Sequence, residues 1–510
     1  MTVKGKRIFN YRPLVVFVLS LLLGIILGEA VYARPIGIII FMCIAAFIAV
    51  IPFLCIKKIR RFTYISIALL VGMVAITSAN AVYDNRMIDD YKGSFTATVS
   101  SEIIVDEGRT IFSVTDIWIE GKKLKSDANV YIPFEFVPDF GAGDVVKLSG
   151  TVTNNRHERF VSYDGKCGYF ASVNTISKVS DGTLRFPANL QMKIKRMLYE
   201  NTDEYTASVC QALLLGSKRG FNSGAYDDIA VSGLAHVLAV SGLHITTLAG
   251  ALYFVLKKLK VNPKISFVIV TVLTFLYSML CGFTASSLRA VIMSAVLSFS
   301  SAFGLKQDGM SSLAFAAILI LLFRPTAFMD AGFLLSFASV FGIFAFNKPF
   351  EKTALKIVDK ISPKRKIGTR FAKVCALSFA TNLATLGLVA YYFGRVPTLF
   401  VLSNFIVLPY MIAFFVLAII LCILSLITGF GGFIWIMKYL LYPFKAYVAA
   451  VGSLPFTSIP VAANVAMVVC FAFLMLWLSK FNFVKRRTKA VGALVGGSAS
   501  VAVCLLFALI

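Results

Sequence analysis

The run GLAHVLAVSGLHITTLAG, from Gly233 to Gly250, sets two of the chain's three histidines on either side of a Ser-Gly step in otherwise apolar sequence. Polar and ionisable groups are costly at bilayer depth, so where they occur they face a bundle interior, a wet cavity or a transported solute. Two chemistries suit the residue types: a serine nucleophile with a histidine base, or a pair of metal ligands. Spacing counts against the second, because His236 and His244 lie eight residues apart, roughly 12 Å along a helix axis. They could share a metal only if the chain folded back at Ser241 and Gly242. A nucleophilic Ser241 would want a base oriented by an acid, and neither histidine has an acid nearby in sequence. The chain also lacks HExxH, paired CxxC, a Walker-type loop and G-x-S-x-G. We therefore expect no catalytic residue, no metal site and no cofactor.

On a continuous helix, Gly233, His236, Val240, Leu243, His244, Thr247 and Gly250 would share one stripe, with Leu234, Val237, Leu238, Ile245, Leu248 and Leu252 opposite. One face would meet lipid and the other a small, partly polar surface, provided that Ser241-Gly242 does not break the helix. The histidines could equally be structural, bonding to neighbouring helices. Four more residues interrupt apolar runs. Arg289 stands in CGFTASSLRAVIM with Ser286 on its own face. It could bind a phosphate or carboxylate in a translocation path, or pair structurally with Asp330 or with backbone carbonyls. Asp330, Asn382 and Asn404 read first as helix-to-helix contacts. The candidates for a conducting path are His236, Ser241, Gly242, His244, Arg289 and Asn404.

These residues need membrane helices to hold them. The chain has 510 residues, 58% hydrophobic, with 46 phenylalanines, which describes a polytopic α-helical membrane protein and excludes a soluble enzyme. Apolar runs near the ~18-residue span threshold cover 14–31, 36–56, 62–82, 234–256, 265–281, 285–303, 313–323, 333–346, 374–393, 399–427, 433–451, 461–478 and 491–510. They predict ten to thirteen crossings, some interrupted or re-entrant. Gly24 and Gly28, like Gly492 and Gly496, have GxxxG spacing for close helix packing.

The net charge of +25 is uneven. Residues 84–228 hold 17 Lys and Arg against 20 acids, and the rest of the chain holds 33 against 5. The excess sits in short blocks, Lys4 to Arg12, Lys57 to Arg61, Lys257 to Lys264, Lys348 to Lys373 and Lys480 to Lys489. That distribution follows the positive-inside rule for cytoplasmic loops. It predicts a cytoplasmic N-terminus, three crossings, an exterior polar segment and a chain end outside. The first apolar run reads as an uncut anchor, although basic residues before Leu14 to Gly28 and Val31-Tyr32-Ala33 also suit a signal peptide. Of nine cysteines only Cys167 and Cys210 lie in the exterior segment, and we expect no bridge between them.

From Ser94 to Ile176 the pattern changes to period-two alternation. Expected strands are Phe95 to Ile104, Thr110 to Ile119, Val130 to Phe134, Val145 to Val152 and Tyr169 to Ile176. Five short strands suit a small barrel of the OB type, a class that often binds oligonucleotides. Phe112, Trp118, Tyr131, Phe134, Phe136 and Tyr169 could stack bases or simply form the core. Arg109, Lys122, Lys123, Lys125, Lys147, Arg156, Arg159 and Lys166 could meet phosphates. The contact candidates kept are Arg109, Trp118, Lys122, Lys123 and Lys147. The balance is close to neutral, ten basic against eleven acidic residues between Lys92 and Ser180. Next, Leu190, Ile194, Met197 and Leu198 make an apolar face opposed by Lys193, Lys195 and Arg196, which suits an interfacial helix or one packed on the barrel.

Taken together, the motifs resemble the ComEC family of DNA-uptake channel proteins. LLLGSKRGFNSGAYDDIAVSGLAHVLAVSGLHITTLAG, Leu213 to Gly250, is similar to a family pattern of the form H-L-L-A-I/V-S-G-L-H. GFTASSLRAVIM (Gly282 to Met293), RPTAFMDAGFLLSFAS (Arg324 to Ser339) and NLATLGLVAYYFGRVPTLFVLSNFIVLP (Asn382 to Pro409) agree in order. The resemblance implies an inner-membrane channel that passes single-stranded DNA into the cytoplasm during natural transformation, working with a DNA receptor, a separate nuclease and a cytoplasmic motor. It places His236, Ser241, Gly242, His244 and Arg289 in the family core without assigning their roles. Many members carry a further metallo-β-lactamase-like domain, which this sequence does not supply, so a channel without its own nuclease is expected. The division expected is 1–83 three transmembrane helices, 84–184 the exterior OB-like barrel, 185–230 exterior amphipathic and linker helices, and 231–510 the channel core, with a homo-oligomer compatible. The alternatives are a small-solute or lipid transporter, and a non-conducting assembly protein whose barrel docks partners.

Overall fold

A computed structural model describes residues 13–32, 63–84, 90–100, 104–106, 109–124, 127–132, 143–154, 167–180, 187–217, 223–238, 240–361, 366–454 and 457–464, with single positions at 221, 467, 468, 471, 472 and 475. The runs 36–56 and 491–510, the basic blocks at 4–12, 57–61 and 480–489, Phe134, Phe136, Lys125, Arg156, Arg159, Lys166, Gly492 and Gly496 lie outside the described residues, as does most of 461–478. By contact the chain forms two compact units, one of residues 17–200 with 318–330, the other of 1–16, 201–317 and 331–510.

The first unit opens with α1 (Pro13–Tyr32) and α2 (Thr63–Asp84). They pack backbone to backbone: a Cβ added at Gly24 would overlap the carbonyl of Leu69, and one at Gly72 that of Leu21. The Gly24 and Gly28 spacing thus reports contact within the chain, closed by a bond from Asn80 Nδ2 to Glu29 Oε2 (2.6 Å).

The strands follow: β1 (Tyr91–Val99), β2 (Ile104–Asp106), β3 (Arg109–Ile119), β4 (Lys122–Lys123), β5 (Asp127–Ile132), β6 (Val145–Asn154) and β7 (Cys167–Ser180). Five of them close in the order β1-β6-β7-β5-β3-β1, with every pairing antiparallel except β5 with β7. This is a small closed barrel of the OB type. Alternation sends Phe95, Ala97, Val99, Phe112, Val114, Val130, Leu148, Tyr169 and Val173 inward as one core. β1 ends at Val99, short of the expected Ile104, and its ladder with β3 slips between Thr96 and Thr98. There Asp116 takes φ 49°, and this bulge keeps Ile117 and Ile119 inside while turning Trp118 out. Glu120 and Gly121, both with positive φ, make the two-residue turn into β4. α3 (Ala188–Asn201) then buries Ile194 and Leu198.

The second unit is helical. In chain order it holds α4 (Glu204–Leu215), α5 (Ser223–Val231), α6 (Ala235–Leu238), α7 (Gly242–Lys258), α8 (Pro263–Leu280), α9 (Ala285–Ala302), the start of α10 (Gly309–Phe323), α11 (Ala331–Ile361), α12 (Lys366–Phe393), α13 (Phe400–Thr428) and α14 (Gly432–Gly452). A short ribbon pairs β8 (Arg395–Pro397) with β9 (Ser458–Pro460). Among the described residues six helices are long and apolar enough to cross a membrane, namely α2, α8, α9, α11, α12 and α13, while α1 and α10 offer shorter apolar stretches. α8 and α13 hold rows of large apolar side chains outward, including Val268, Val272 and Phe275, and Ile406, Leu417 and Ile420. A row of that kind is stable against lipid. The chain is a multi-pass helical membrane protein with an inserted barrel.

Two expected crossings take another form. The run 234–256 is split between α6 and α7, so the single stripe joining His236 to His244 does not exist. The run 433–451 forms α14, whose outer face carries Trp435, Lys438, Tyr439, Tyr442 and Lys445 and falls short of a span's apolarity. α4, expected among exterior linkers, is buried along ten of its residues. Its Cys210 is a free thiol 3.8 Å from Met437 Sδ on α14.

Candidate functional site

The break between α6 and α7 has a local cause. Ser241 has extended backbone (φ −100°, ψ 165°) and serves as the N-cap of α7. Its own N–H donates to His244 Nδ1 (3.1 Å), while its Oγ lies 3.3 Å from the same nitrogen. His244 thereby takes the place that Glu or Gln holds in a capping box. A ring nitrogen that accepts carries no proton, so the neutral ring is protonated at Nε2. The imidazole is buried and tilted over Phe415 of α13, with centroids 4.6 Å apart. His236 sits in the single turn of α6, exposed, its Nδ1 3.0 Å from the carbonyl of Gly233. The two histidines are therefore in different environments, one a buried cap and the other an accessible ring.

Gly242, the first residue of α7, donates its N–H to Ser286 Oγ of α9 (3.1 Å). Ser286 Oγ in turn accepts from Ser336 Oγ of α11 (2.9 Å). Arg289, one turn further along α9, is only 6% exposed. Its Nη1 donates to the Ser336 carbonyl (2.8 Å), and the guanidinium lies 5.9 Å from the Phe337 ring centroid. Of the two structural partners expected for Arg289, the structure shows a backbone carbonyl. Its Nε is buried with no partner among the described residues. Thr284 caps α9 by accepting from Ser287 N (3.2 Å), so the first turns of α7 and α9 and the second turn of α11 meet here.

Ser241, Gly242, His244 and Arg289 are thus brought together, and His236 and Asn404 are not. Asn404 points from α13 to Ser378 Oγ of α12 (3.5 Å), with its Oδ1 buried and without a partner among the described residues. Asn382 bonds back to the Ser378 carbonyl of its own helix (2.9 Å). Ser336 and Phe337 escape notice in the sequence because a serine in GFLLSFAS looks like any small residue in a membrane helix. Among the described residues no group of three or more His, Cys, Asp and Glu is placed to hold a metal.

On the barrel, strand register aligns Lys123, Trp118, Thr96 and Lys147 across β4, β3, β1 and β6. Trp118 is 46% exposed, and with Lys147, Ser94, Thr96, Glu120 and Gly121 it lines a shallow depression. Lys123 is held by Asp116, whereas Lys147 and Lys122 are exposed without an ion pair among the described residues. Phe112 and Tyr169 are core, Tyr131 is half-buried, and Arg109 opens β3 opposite Asp106.

Comparison with known proteins gives these features a context. Residues 213–486 match the Competence protein family. The chain is 25% identical over 205 residues to ComE operon protein 3 of Bacillus subtilis (strain 168), covering 40% of this chain and 25% of that protein. It is 29% identical over 176 residues to the uncharacterized protein MG316 homolog of Mycoplasma pneumoniae (strain ATCC 29342 / M129 / Subtype 1), covering 33% of this chain and 45% of that one. The chain therefore spans a quarter to under half of the length of these relatives. No solved structure matches it. The match covers more than half of the sequence and includes α7, α9 and α11 with their shared polar cluster, and the chain belongs to the Competence protein family, the ComEC family that its motifs resemble.

Proposed function

We propose that this chain is an inner-membrane channel through which single-stranded DNA enters the cytoplasm during natural transformation. The observation that carries the reading is membership in the Competence protein family, which supports a role in competence DNA uptake, across the same helices that bury Arg289 beside Ser286 and Ser336. A strand crossing a bilayer needs a wet, weakly cationic lining with stacking surfaces and no tight site, since conduction fails where binding is too favourable. The core path residues in this reading are Ser241, Gly242, His244 and Arg289, with His236 and Asn404 further along. Trp118, Lys122 and Lys147 of the barrel, with Arg109 and Lys123 at its edges, meet the strand before it enters.

The distribution of basic blocks supports a cytoplasmic N-terminus and a barrel on the outer side. This chain acts as a conduit in that arrangement. A receptor delivers the DNA, a separate nuclease yields the single strand, and a cytoplasmic motor supplies the driving force. A small-solute transporter is the second reading, favoured by the interruption at Ser241, since broken helices at the membrane centre are a transporter device.

Uptake of labelled DNA by cells deleted for this gene separates the two. The channel reading expects surface-bound DNA to be retained and cytoplasmic single strand to vanish. Unchanged transfer would remove the channel assignment and leave the transporter.

A further inference from the structure

We propose that the polar cluster at the start of α7 is a binding site for one phosphate group. A helix N-terminus carries a partial positive charge and unsatisfied N–H groups. Here the first turns of α7 and α9 are joined through Gly242 N–H and Ser286 Oγ, and into that junction the fold also places a guanidinium. A Cβ on Gly242 would overlap Arg289 Nη2, so the cation lies directly on the first residue of α7. Like charges have been brought together inside the protein, where their repulsion is weakly screened.

Arg289 meets a neutral carbonyl and an aromatic ring, and no carboxylate among the described residues pairs with it. Lone buried charges are costly unless paired and hydrogen-bonded.

The donor geometry then selects the ligand. Nη1 is occupied by the Ser336 carbonyl, whereas Nε has no partner and Nη2 makes no hydrogen bond among the described residues. Nε and Nη2 form one edge of the guanidinium, and two parallel N–H donors on one edge match two oxygens of a phosphate or carboxylate. Ser286, whose Oγ accepts from both Gly242 N–H and Ser336 Oγ, keeps its own O–H as a further donor in the same cluster. A guanidinium edge for two oxygens and a hydroxyl for a third suit a phosphate better than a carboxylate, which has only two. The channel reading supplies the source: the inference rests on that reading only in taking the phosphate to be a phosphodiester of the passing strand. One such contact, released and remade, would hold the strand without trapping it.

The test uses the full chain in detergent, with radiolabelled orthophosphate and a short end-labelled oligothymidylate as probes in equilibrium dialysis, followed by reconstitution with phosphatidylglycerol or phosphatidylcholine. Both labelled probes should bind the wild-type chain. Arg289→Gln should weaken each by about tenfold or more, in line with the loss of a charge-assisted fork. If Arg289→Gln fails to fold, Arg289→Lys keeps the charge and removes the fork, and it should weaken both probes severalfold.

Absence of binding by the folded wild-type chain, or equal binding by wild type and a folded variant, overturns the site. Binding of phosphatidylglycerol with neither labelled probe bound overturns its assignment to the strand. These measurements need no transfer. A chain that binds phosphate through Arg289 while its deletion leaves DNA transfer intact keeps the site and loses the channel reading. A chain whose deletion blocks transfer but which binds no phosphate loses the site alone.

Discussion

The guanidinium of Arg289 occupies the space that a Cβ of Gly242 would fill, so the first residue of α7 can carry no side chain while Arg289 keeps its bond to Ser336. Gly242 does not have a positive φ, so its role is space and not backbone freedom. Gly242→Ala should cost about 1–3 kcal/mol of stability, the usual range for an overpacked interior. Thermal unfolding of the detergent-solubilised chain reads it, and a variant as stable as wild type would mean that Arg289 can move aside at no cost.

His244 is placed to cap a helix, which is a structural duty. His244→Ala removes the acceptor for Ser241 N–H and empties the space over Phe415. A lost cap costs about 1 kcal/mol, and the cavity adds to it. His244→Gln restores an acceptor at the same helical position and should recover most of the cap's share. Unfolding temperature and DNA transfer are compared for the two variants. If the glutamine chain is as stable as wild type yet transfers as poorly as the alanine chain, the ring does more than cap.

How far the sequence shows this arrangement depends on the element. The barrel is legible because alternation survives in β3, β5 and β6, and only the slip at Asp116, a local backbone event, shifts β1 and turns Trp118 outward. The helical spans are legible from apolarity, but α6 and α7 are not, because the residues around Ser241 are as apolar as the helix they interrupt and the cap depends on the side chain of His244. α4 lies in the segment read as amphipathic and linker helices, and its burial is not legible there because the helices it packs on, α13 and α14, lie far along the chain. The Arg289 cluster needs Ser286 and Ser336, fifty residues apart, and no spacing rule joins them.

In the barrel, β6 and β7 approach closely at a glycine. A Cβ at Gly150 of β6 would overlap the carbonyl of Ser172 on β7, beside the register shift between Ser149 and Gly150. Gly150→Ala should destabilise the barrel by about 1–3 kcal/mol. Limited proteolysis of the full chain should then cut within the segment 94–180 faster than in wild type. Equal cutting rates would show that β6 and β7 can separate slightly without loss.

Trp118, Lys123 and Lys147 share a cross-strand row on the barrel's outer face but differ in what holds them, and this difference makes the strand-contact reading testable. Lys123 is tied to Asp116, so its charge is already answered on the chain, while Lys147 is exposed without an ion pair among the described residues. Trp118 presents a ring that is 46% exposed. Stacking of a base on such a ring contributes about 1–3 kcal/mol, so Trp118→Ala should weaken oligothymidylate binding by the full chain correspondingly. Lys147→Ala should weaken binding at low salt and reduce the salt slope by about 0.7 for one lost phosphate contact. Lys123→Ala should change little, since it removes a cation that the strand would first have to free from Asp116. Titration at several salt concentrations measures all three. If Lys123→Ala weakens binding as much as Lys147→Ala, the pair with Asp116 opens on binding. If Trp118→Ala has no effect at any salt, the strand does not lie on this face.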